Sequence, residues 1–527
     1  MPAPTIKPEM EEKKASPQTQ VFCVHGADPE VQAYAMAKYS RSSLSMKESL
    51  SELNEQKAEK FLNTFYFQYG HRSIADLAHI AMAVERLSLL AATIVVDEQR
   101  WDGQERSTRY QDFKKSGYYT PAFADARQEQ DYRQAIDFMF AEYPAISDAM
   151  FHHLVSRTPK PEAMKQDGYE RTLRARAFDI SRYVLPLATN TSLGQIVNAR
   201  TLENQISRLL SNPHMELREL AQTMKEAART AAWNVNHEAY KALVEAIRAR
   251  DESLGELAER QLLREVRVSP TLVKYAEPSA YQMETRRELQ QAAAELMKGL
   301  AFTTAPEVDL LDEEPLEIEL ATTLLYEHSH YPYRQLREVV RALSGARRDE
   351  IVDLGLRHRG PHDELLRAYC AGQRFRFDIL MDIGGFRDMH RHRRCTQILQ
   401  DYTTAHGYDT PPEIVEGGLG ARYDQLMRHA AAAAERFTQA DASRSVPGGI
   451  APEAQYFIPL AYRKRALFKM DFAEVVYISE LRTTPAGHWS YRNVAWKMYE
   501  AIQQRHPSLA RYFRVTDVRE PVDLLKR

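Results

Sequence analysis

The chain has 527 residues, of which 44% are hydrophobic and 27% are charged. This composition is typical of a globular protein and excludes a wholly disordered or collagen-like chain, while the length predicts two to four domains at about 150 residues each. Lysine and arginine number 70 against 73 aspartate and glutamate residues, which gives a net charge of -3. A broad basic surface for nucleic acid is therefore not expected.

The cysteines and the amino-terminal residues indicate in which cellular compartment the protein is expected. Cys23, Cys370 and Cys395 are few, odd in number and far apart, which favours a reducing, cytoplasmic environment over a disulfide framework. Residues 1–20 contain acidic side chains and no apolar core, so we expect a short disordered lead rather than a secretory signal. No apolar run reaches the roughly 18 residues of a membrane-spanning helix, and no membrane association is expected.

Helical patterns dominate the chain. Residues 214–250 lack glycine and proline and are rich in Ala, Glu, Leu and Lys, which predicts one long helix or two in tandem. The same pattern predicts helices over 286–298 and 424–440. Strands are predicted over 375–379 and 455–460.

Two stretches are predicted to connect these elements. Residues 251–315 are charge-rich and contain four prolines, which favours a helical linker between two halves of the chain. The cluster of Pro447, Gly448 and Gly449 predicts a loop.

The chain contains an internal repeat with a long period. Residues 183–188 read Tyr-Val-Leu-Pro-Leu-Ala and residues 457–461 read Phe-Ile-Pro-Leu-Ala, and a polar turn and a helical run follow each. The order of the elements is the same in both halves, which indicates two copies of one domain. We therefore predict a first repeat over 21–250 and a second over 316–527.

A dense basic cluster lies late in the chain. Between 387 and 394, six of eight residues are Arg or His. Because like charges repel, such a cluster is typical of a site that holds an anion, and guanidinium groups suit phosphates or an electron-rich ring. A solvated helix end is the alternative interpretation. A metal site of His390, His392 and Cys395 is disfavoured by the flanking arginines, and no metal is predicted.

This cluster resembles part of a known signature. Arg391-His392-Arg393, with Thr396 after them, is similar to the first half of R-H-R-x-x-S-x-x-x-x-S-x-R, the motif of flavin-dependent thymidylate synthases. The second half of the motif is missing there, since Asp401 and Thr403 stand where its Ser and Arg are expected.

The first half of the chain shows the reverse pattern. Residues 104–110 read Gln-Glu-Arg-Ser-Thr-Arg-Tyr, which is similar to the end of the family signature. The same shift along the chain that aligns the two signatures places Asp97, Glu98 and Gln99 where Arg-His-Arg is expected.

Further motifs support the resemblance. His71 and Ser73 stand in a G-H-x-S pattern, and Arg182 opens an R-x-x-L-P pattern. Asn198 and Arg200 form the family's N-x-R pattern. The second half keeps Arg482 in a Leu-Arg pair that resembles a further nucleotide contact. The resemblance implies an α+β, helix-rich fold of two tandem flavin-dependent-thymidylate-synthase-like domains that form a pseudo-dimer.

The resemblance also implies a function. The family binds FAD and methylates dUMP to dTMP, with methylene-tetrahydrofolate and NADPH as co-substrates, and the cofactors carry the chemistry. Two alternatives stay open: a flavoenzyme of the same fold that acts on another pyrimidine nucleotide, and a degenerate nucleotide-binding protein without turnover.

Residue roles follow from the resemblance. It implies catalytic and flavin-side roles for Arg391, His392 and Arg393, contacts to the substrate from Glu105, Ser107, Arg109, Arg182 and Arg482, and contacts to the cofactor from His71, Ser73, Asn198 and Arg200. His392, between two arginines, is expected to favour its neutral form.

The losses in the two halves are complementary. We therefore expect composite sites that take one half-signature from each repeat, decay of the other sites, and a pseudo-tetramer made of two chains.

Structural alternatives stay open for several of these residues. Ser107 and Arg109 are also compatible with a helix cap and a surface ion pair. Asn198 and Arg200 are also compatible with a helix start, and His71 with a core or capping histidine. Asp97 and Glu98 are also compatible with structural pairing to the arginine cluster across an interface.

Overall fold

The computed structural model describes residues 24, 26–38, 46–51, 55–63, 72–360, 363–440 and 449–525. The predictions for 1–20, His71, Pro447 and Gly448 lie outside these residues. The helices are α1 (Pro29–Lys38), α2 (Met46–Ser51), α3 (Glu55–Leu62), α4 (Leu89–Val95), α5 (Ala126–Arg157), α6 (Gln166–Ser181), α7 (Ala199–Leu210), α8 (Met215–Arg229), α9 (His237–Arg248), α10 (Glu252–Leu262), α11 (Ala280–Leu296), α12 (Leu316–Glu327), α13 (Tyr333–Ala342), α14 (Gly345–Leu354), α15 (Ile383–Met389), α16 (Pro412–Glu416), α17 (Gly420–Ala440), α18 (Phe472–Thr483), α19 (Trp489–Arg505) and α20 (Pro507–Ala510). The strands are β1 (His79–Ser88), β2 (Asp102–Glu105), β3 (Asn190–Asn198), β4 (Val308–Leu310), β5 (Phe375–Asp382), β6 (Thr396–Leu399) and β7 (Arg463–Met470).

Each half of the chain builds a small antiparallel sheet. The first sheet has the order β1-β3-β2, and the second has the order β4-β5-β7-β6. Ser88 pairs with Asn190 in the first sheet and Asp382 pairs with Arg463 in the second. β1 and β3 of the first half thus pair in the same way as β5 and β7 of the second half. This is the architecture expected for two copies of one α+β domain.

The two copies of the repeated segment pair with each other. The Leu187 amide donates to the Ile458 carbonyl at 2.9 Å, and the Leu460 amide donates to the Leu185 carbonyl at 3.0 Å. Pro186 faces Pro459 in an antiparallel bridge. We call the pairing of 183–188 with 456–461 the clasp. Because each bond is matched by its symmetry mate, the clasp marks a local two-fold relation between the halves.

One apolar core surrounds the clasp. Tyr183 and Leu185 from the first half pack in the same buried cluster as Ile458 and Leu460 from the second. The long helices α5 and α17 contribute to the same cluster. The halves are therefore joined through a shared hydrophobic interior and not only through a linker.

Most predicted helices are confirmed. The predicted helix over 286–298 falls almost wholly in α11, and that over 424–440 falls in α17. Residues 214–250 form two helices in tandem, α8 and α9. They are separated by a turn in which the Asn236 amide donates to the Asn234 side chain.

One of the two predicted strands is wrong. Residues 375–379 lie in β5, as predicted. Residues 455–457 instead end the 3-10 turn Pro452–Phe457, and residues 458–460 lie in the clasp. The strand begins only at Arg463. Proline lacks an amide hydrogen and fixes its backbone angle, so Pro452 and Pro459 favour a turn and a single bridge over a ladder.

The stretch 251–315 contains α10 and α11 and also the strand β4. Val308, Asp309 and Leu310 of β4 pair with β5, so this stretch contributes an edge to the second sheet. No helix in the described part of the chain is long and apolar enough to cross a membrane.

Equivalent helices after β1 and β5 are capped by different residues. The Ser88 side chain accepts from the Ala91 amide at the start of α4, and the Asp382 carboxylate accepts from the Gly385 amide at the start of α15. Ser88 donates to Glu216, whereas Asp382 accepts from Ser490. The carboxylate and the hydroxyl have thus exchanged places between the halves.

The Asp382 carboxyl predicts a pH dependence of stability. Burial raises its pKa from 3.8 to about 6. Because the folded state then binds the proton more tightly than the unfolded state, the free energy of unfolding is expected to fall as the pH rises from about 4 to about 6, by about 3 kcal/mol. Asp382→Asn keeps a capping side chain and removes this contribution. Urea denaturation of both proteins at several pH values measures the difference, and parallel pH profiles would contradict it.

Candidate active site at the junction of the halves

The two half-signatures meet within one chain. Arg391 Nη2 donates to Gln104 Oε1 at 2.6 Å, and Arg387 Nη2 lies 2.5 Å from Glu105 Oε2. We call the contact region between residues 104–109 and residues 387–393 the first junction. It joins the end of β2 to α15 and the turn that follows α15.

Local hydrogen bonds fix the basic turn. His390 Nδ1 lies 2.7 Å from Gln397 Oε1, and Gln397 Nε2 donates to the His392 carbonyl at 2.8 Å. Gln397 belongs to β6, so the second sheet holds the turn. The capped start of α15 sets the direction from which Arg387 and Arg391 approach the first half.

A buried ionic network lies behind the first junction. Asp179 accepts from both Nε and Nη2 of Arg109 at 3.0 Å, and Arg182 Nε lies 3.3 Å from the same carboxylate. Burial alone would raise the pKa of Asp179, but His488 and the guanidinium groups of Arg182 and Arg109 hold it well below its usual range. Asp388 lies 3.5 Å from Arg182 Nη1 and adds a second carboxylate to the network.

Arg109 connects the first half to the second. Its Nη1 donates to the Tyr491 hydroxyl at 2.9 Å, and its Nη2 donates to the Ala486 carbonyl at 3.1 Å. The ion pair of Arg109 is therefore buried rather than on the surface. Ser107 Oγ accepts from the Arg109 amide at 3.2 Å, which caps a turn and not a helix.

Several guanidinium nitrogens at the first junction are buried without a hydrogen-bond partner. They are Nη2 of Arg182, Nε of Arg387 and Nε of Arg393. Nε of Arg182 also makes no hydrogen bond, although it lies 3.3 Å from the Asp179 carboxylate. A buried cationic donor that lacks a partner is costly, by about 1–3 kcal/mol or more. These nitrogens are suited to donate hydrogen bonds to the oxygens of an anion, such as a phosphate group.

His392 is buried and held by two neighbours. Arg482 Nε donates to His392 Nε2 at 2.8 Å, and His392 Nδ1 lies 3.5 Å from Glu474. Nδ1 must then carry the ring proton. Burial lowers the pKa of His392, in agreement with the expected neutral form. Arg482 also lies over the Tyr491 ring, at 5.5 Å from its centroid.

The remaining predicted cofactor residues lie elsewhere. Arg200 forms an ion pair with Glu364 at 2.7 Å and lines a cavity of about 700 Å³ between the halves. Asn198 accepts from the Thr201 amide at 2.8 Å and caps α7, as its structural alternative predicted. Ser73 is exposed in the 3-10 turn Arg72–Leu77.

Asp97 and Glu98 form ion pairs next to this cavity. Asp97 contacts Arg367 of the second half at 2.6 Å and lies 3.7 Å from His390 Nε2. Glu98 contacts Arg208 at 2.7 Å within its own half. Asp97 thus pairs across the interface, as one alternative proposed, although its partner is Arg367 and not the Arg391 turn.

The thiol and imidazole groups in the basic turn do not form a metal site. Burial raises the pKa of Cys395 to about 12, and its thiol donates to the His392 carbonyl at 3.0 Å. Within the described ranges, no group of three or more His, Cys, Asp or Glu side chains has a metal-binding arrangement.

Sequence reasoning missed several partners in the first junction. Arg387 was counted only as part of the basic cluster, although it contacts Glu105. Asp179 lies on α6 and precedes Arg182, the residue directly after the helix, by three residues. This i, i+3 spacing places the two side chains side by side and offered a signal. Tyr491 gave no signal, because its contact with Arg109 spans most of the chain.

Comparison with known proteins identifies the family. The family model described as thymidylate synthase complementing protein matches residues 23–234 and 317–508. The chain belongs to this family. The two matched segments confirm both the family resemblance and the tandem arrangement of two copies.

Individual relatives are similar to all or part of the chain. A UPF0159 protein of Chlamydia pneumoniae is 28% identical over 547 residues, covering 95% of this chain and 92% of the relative. A flavin-dependent thymidylate synthase of Clostridium tetani is 26% identical over 211 residues, covering 40% of this chain and 81% of the relative. Among solved structures, flavin-dependent thymidylate synthase ThyX from Helicobacter pylori, complexed with FAD and dUMP, matches 40% of this chain and 93% of its own, at 15% identity and a TM-score of 0.26.

The ion pair of Asp97 and Arg367 predicts a stability effect. Asp97→Asn removes the charge that holds the Arg367 guanidinium, so the free energy of unfolding is expected to fall by about 1–3 kcal/mol. Asp102→Asn, at an exposed position in β2, is the matched control and is expected to change it by less than about 0.5 kcal/mol. Chemical denaturation measures both, and equal effects would show that the cross-interface pair does not stabilise the fold.

Proposed function

We propose that the chain is a flavin-dependent thymidylate synthase that converts dUMP to dTMP, with FAD as cofactor and methylene-tetrahydrofolate and NADPH as co-substrates. The observation that carries this proposal is the contact of Arg391 with Gln104 and of Arg387 with Glu105, which completes the split signature inside one chain. Membership of both halves in the family supports it.

The substrate site uses the first junction. The unpartnered nitrogens of Arg182 and Arg387 bind the phosphate of dUMP, because charge-assisted bonds to phosphate are strong and these donors are already desolvated. Glu105 and Ser107 orient the pyrimidine ring by hydrogen bonds. Arg482 contributes positive charge beside the ring of Tyr491. Arg109 acts mainly by holding Asp179 in place, and so positions Arg182.

The residues at the basic turn fit a flavin cofactor. The guanidinium of Arg391 is exposed, and Arg393 has a buried Nε without a partner, so both offer donors to an electron-rich ring or a diphosphate. When bound, FAD supplies hydride transfer. Arg391 and Arg393 stabilise negative charge on the reacting groups. His392 stays neutral and fixes the direction of Arg482.

A second part of the cofactor site is proposed at the 700 Å³ cavity. Its volume is within the range of ligand pockets, and Arg200 and Thr201 bring the amino-terminal end of α7 to its wall. A helix amino terminus favours a bound phosphate. Asn198 supports this end of the helix as its cap. Ser73, and His71 outside the described residues, are assigned to the cofactor from the family resemblance.

The organisation of the protein is part of the proposal. The first repeat extends over 21–250 and the second over 316–527, with 251–315 as the connecting stretch and 1–20 as a lead. Two chains associate into a pseudo-tetramer, and the protein acts in the cytoplasm.

A nucleotide-binding protein without turnover is the second candidate. It is favoured by one observation: protein partners take four of the five N–H donors of Arg109, so only one N–H, on Nη1, is left for a phosphate without rearrangement. A flavoenzyme for another pyrimidine nucleotide would use the same junction.

One assay separates these functions. The full chain is incubated with dUMP, methylene-tetrahydrofolate, NADPH and FAD, and the products are analysed for dTMP. Formation of dTMP supports the proposed synthase. Flavin that co-purifies, giving a yellow protein, without dTMP formation favours another pyrimidine substrate. Absence of both flavin binding and dTMP favours the protein without turnover.

Substitution of Arg391 tests the composite site. Arg391→Ala is expected to lower turnover by about 100- to 1,000-fold, because it removes a cationic donor from the reacting groups. Arg394→Ala is the matched control, since Arg394 is exposed in the same turn and lies 3.4 Å from Asp471. Its turnover is expected to stay within about twofold of the parent. Full turnover by Arg391→Ala would contradict the composite-site proposal.

A further inference from the structure

The local two-fold relation creates a second junction. The Leu89 amide donates to the Thr189 carbonyl at 2.8 Å, and the equivalent Ile383 amide donates to the Tyr462 carbonyl at 2.9 Å. The starts of α4 and α15 are thus held in the same way. The elements that build the first junction therefore recur on the other side of the clasp, where residues 398–403 approach α4 and residues 97–99.

The second junction lacks the guanidinium groups of the first. The shifts that align the repeats replace Arg109 by Thr403, Arg182 by Gln455, Arg387 by Thr93, Arg391 by Asp97, Arg393 by Gln99 and Arg482 by Leu209. Carboxylates stand at three aligned positions: Asp97 in place of Arg391, Glu98 in place of His392 and Asp401 in place of Ser107. The sign of the charge is thus reversed at one position, and negative charge is added at two positions that are neutral in the first junction.

The buried polar atoms without a hydrogen-bond partner also differ in charge between the two junctions. At the second junction they belong to neutral groups: Nε2 of His214, Oε1 of Gln400 and the hydroxyl of Tyr402. Burial lowers the pKa of His214 to about 4, so its ring is uncharged near neutral pH. An anion gains charge-assisted bonds from the orphaned nitrogens of the first junction but not from these.

The cationic side chains near the second junction already interact with carboxylates or an aromatic ring of the protein. Arg367 and Arg208 form ion pairs with Asp97 and Glu98. The Lys464 ammonium lies 3.8 Å from the centroid of the Tyr402 ring, and burial lowers its pKa to about 8. Arg286 lines the cavity beside Glu327, a carboxylate with which it interacts electrostatically.

We infer that each chain binds one dUMP, at the first junction, and that the second junction does not hold the phosphate of a second dUMP. This inference rests on the proposed function, because it takes the first junction to be the substrate site. It makes the tandem chain asymmetric: two copies of one domain share one substrate site, and the second copy of that site has become structural.

Binding stoichiometry tests the inference. Equilibrium dialysis of the full chain with radiolabelled dUMP, at protein concentrations fixed by amino-acid analysis, is expected to give one nucleotide per chain at saturation. Two nucleotides per chain would overturn the inference and leave the proposed function standing. No bound nucleotide would overturn the proposed function, and the inference with it.

Matched variants locate the single site. Arg387→Thr copies Thr93 of the second junction and is expected to weaken dUMP binding more than tenfold. Asp401→Asn changes an exposed side chain at the second junction and is expected to leave the binding constant within about twofold. Circular dichroism confirms folding of each variant, and Arg387→Gln replaces Arg387→Thr if the latter does not fold. Weaker binding in Asp401→Asn with unchanged binding in the arginine variant would place the nucleotide at the second junction and contradict the inference.

Discussion

The clasp is the constraint on which the rest of the structure depends. Four backbone hydrogen bonds between 183–188 and 456–461 join two copies of one segment in a symmetric pair. Both copies are buried, so separation would expose apolar side chains and unpaired amides together. The clasp therefore fixes the relative position of the halves, and with it the approach of β2 in one half to α15 in the other.

Symmetry explains how the signature became divided. A two-fold contact between identical halves creates two equivalent junctions, and each junction takes one half-signature from each copy. One junction needs Arg391 from the second copy and Glu105 from the first. The carboxylates of Asp97 and Asp401 stand at signature positions of the other junction, so they leave the signature of the first junction complete. Complementary loss is the expected result of this arrangement.

The sequence predicted much of this, and the failures have physical causes. Repeats, helices and the pairing of Arg391 with the segment around Ser107 follow from motifs and periodicity. The prediction of a strand over 455–460 was wrong because it relied on apolar content alone. Pro452 and Pro459 prevent the regular backbone hydrogen bonding of a strand there. The contacts of Arg109 with Tyr491 and Ala486 could not be predicted, because the residues around Arg109 carry no information about which distant segment packs against them.

Electrostatics explains why the first junction can keep so many arginines. Guanidinium groups brought together out of water repel one another and lose hydration, and Asp179 and Asp388 offset this by lying among them. Removing a carboxylate would leave buried positive charge without compensation. Under the proposed function, a phosphate would meet donors that are already desolvated and oriented, so less of its binding free energy would be spent on arranging them. The acidic residues behind the junction hold these donors in place, and the proposed anion site depends on them as well as on the arginines that face it.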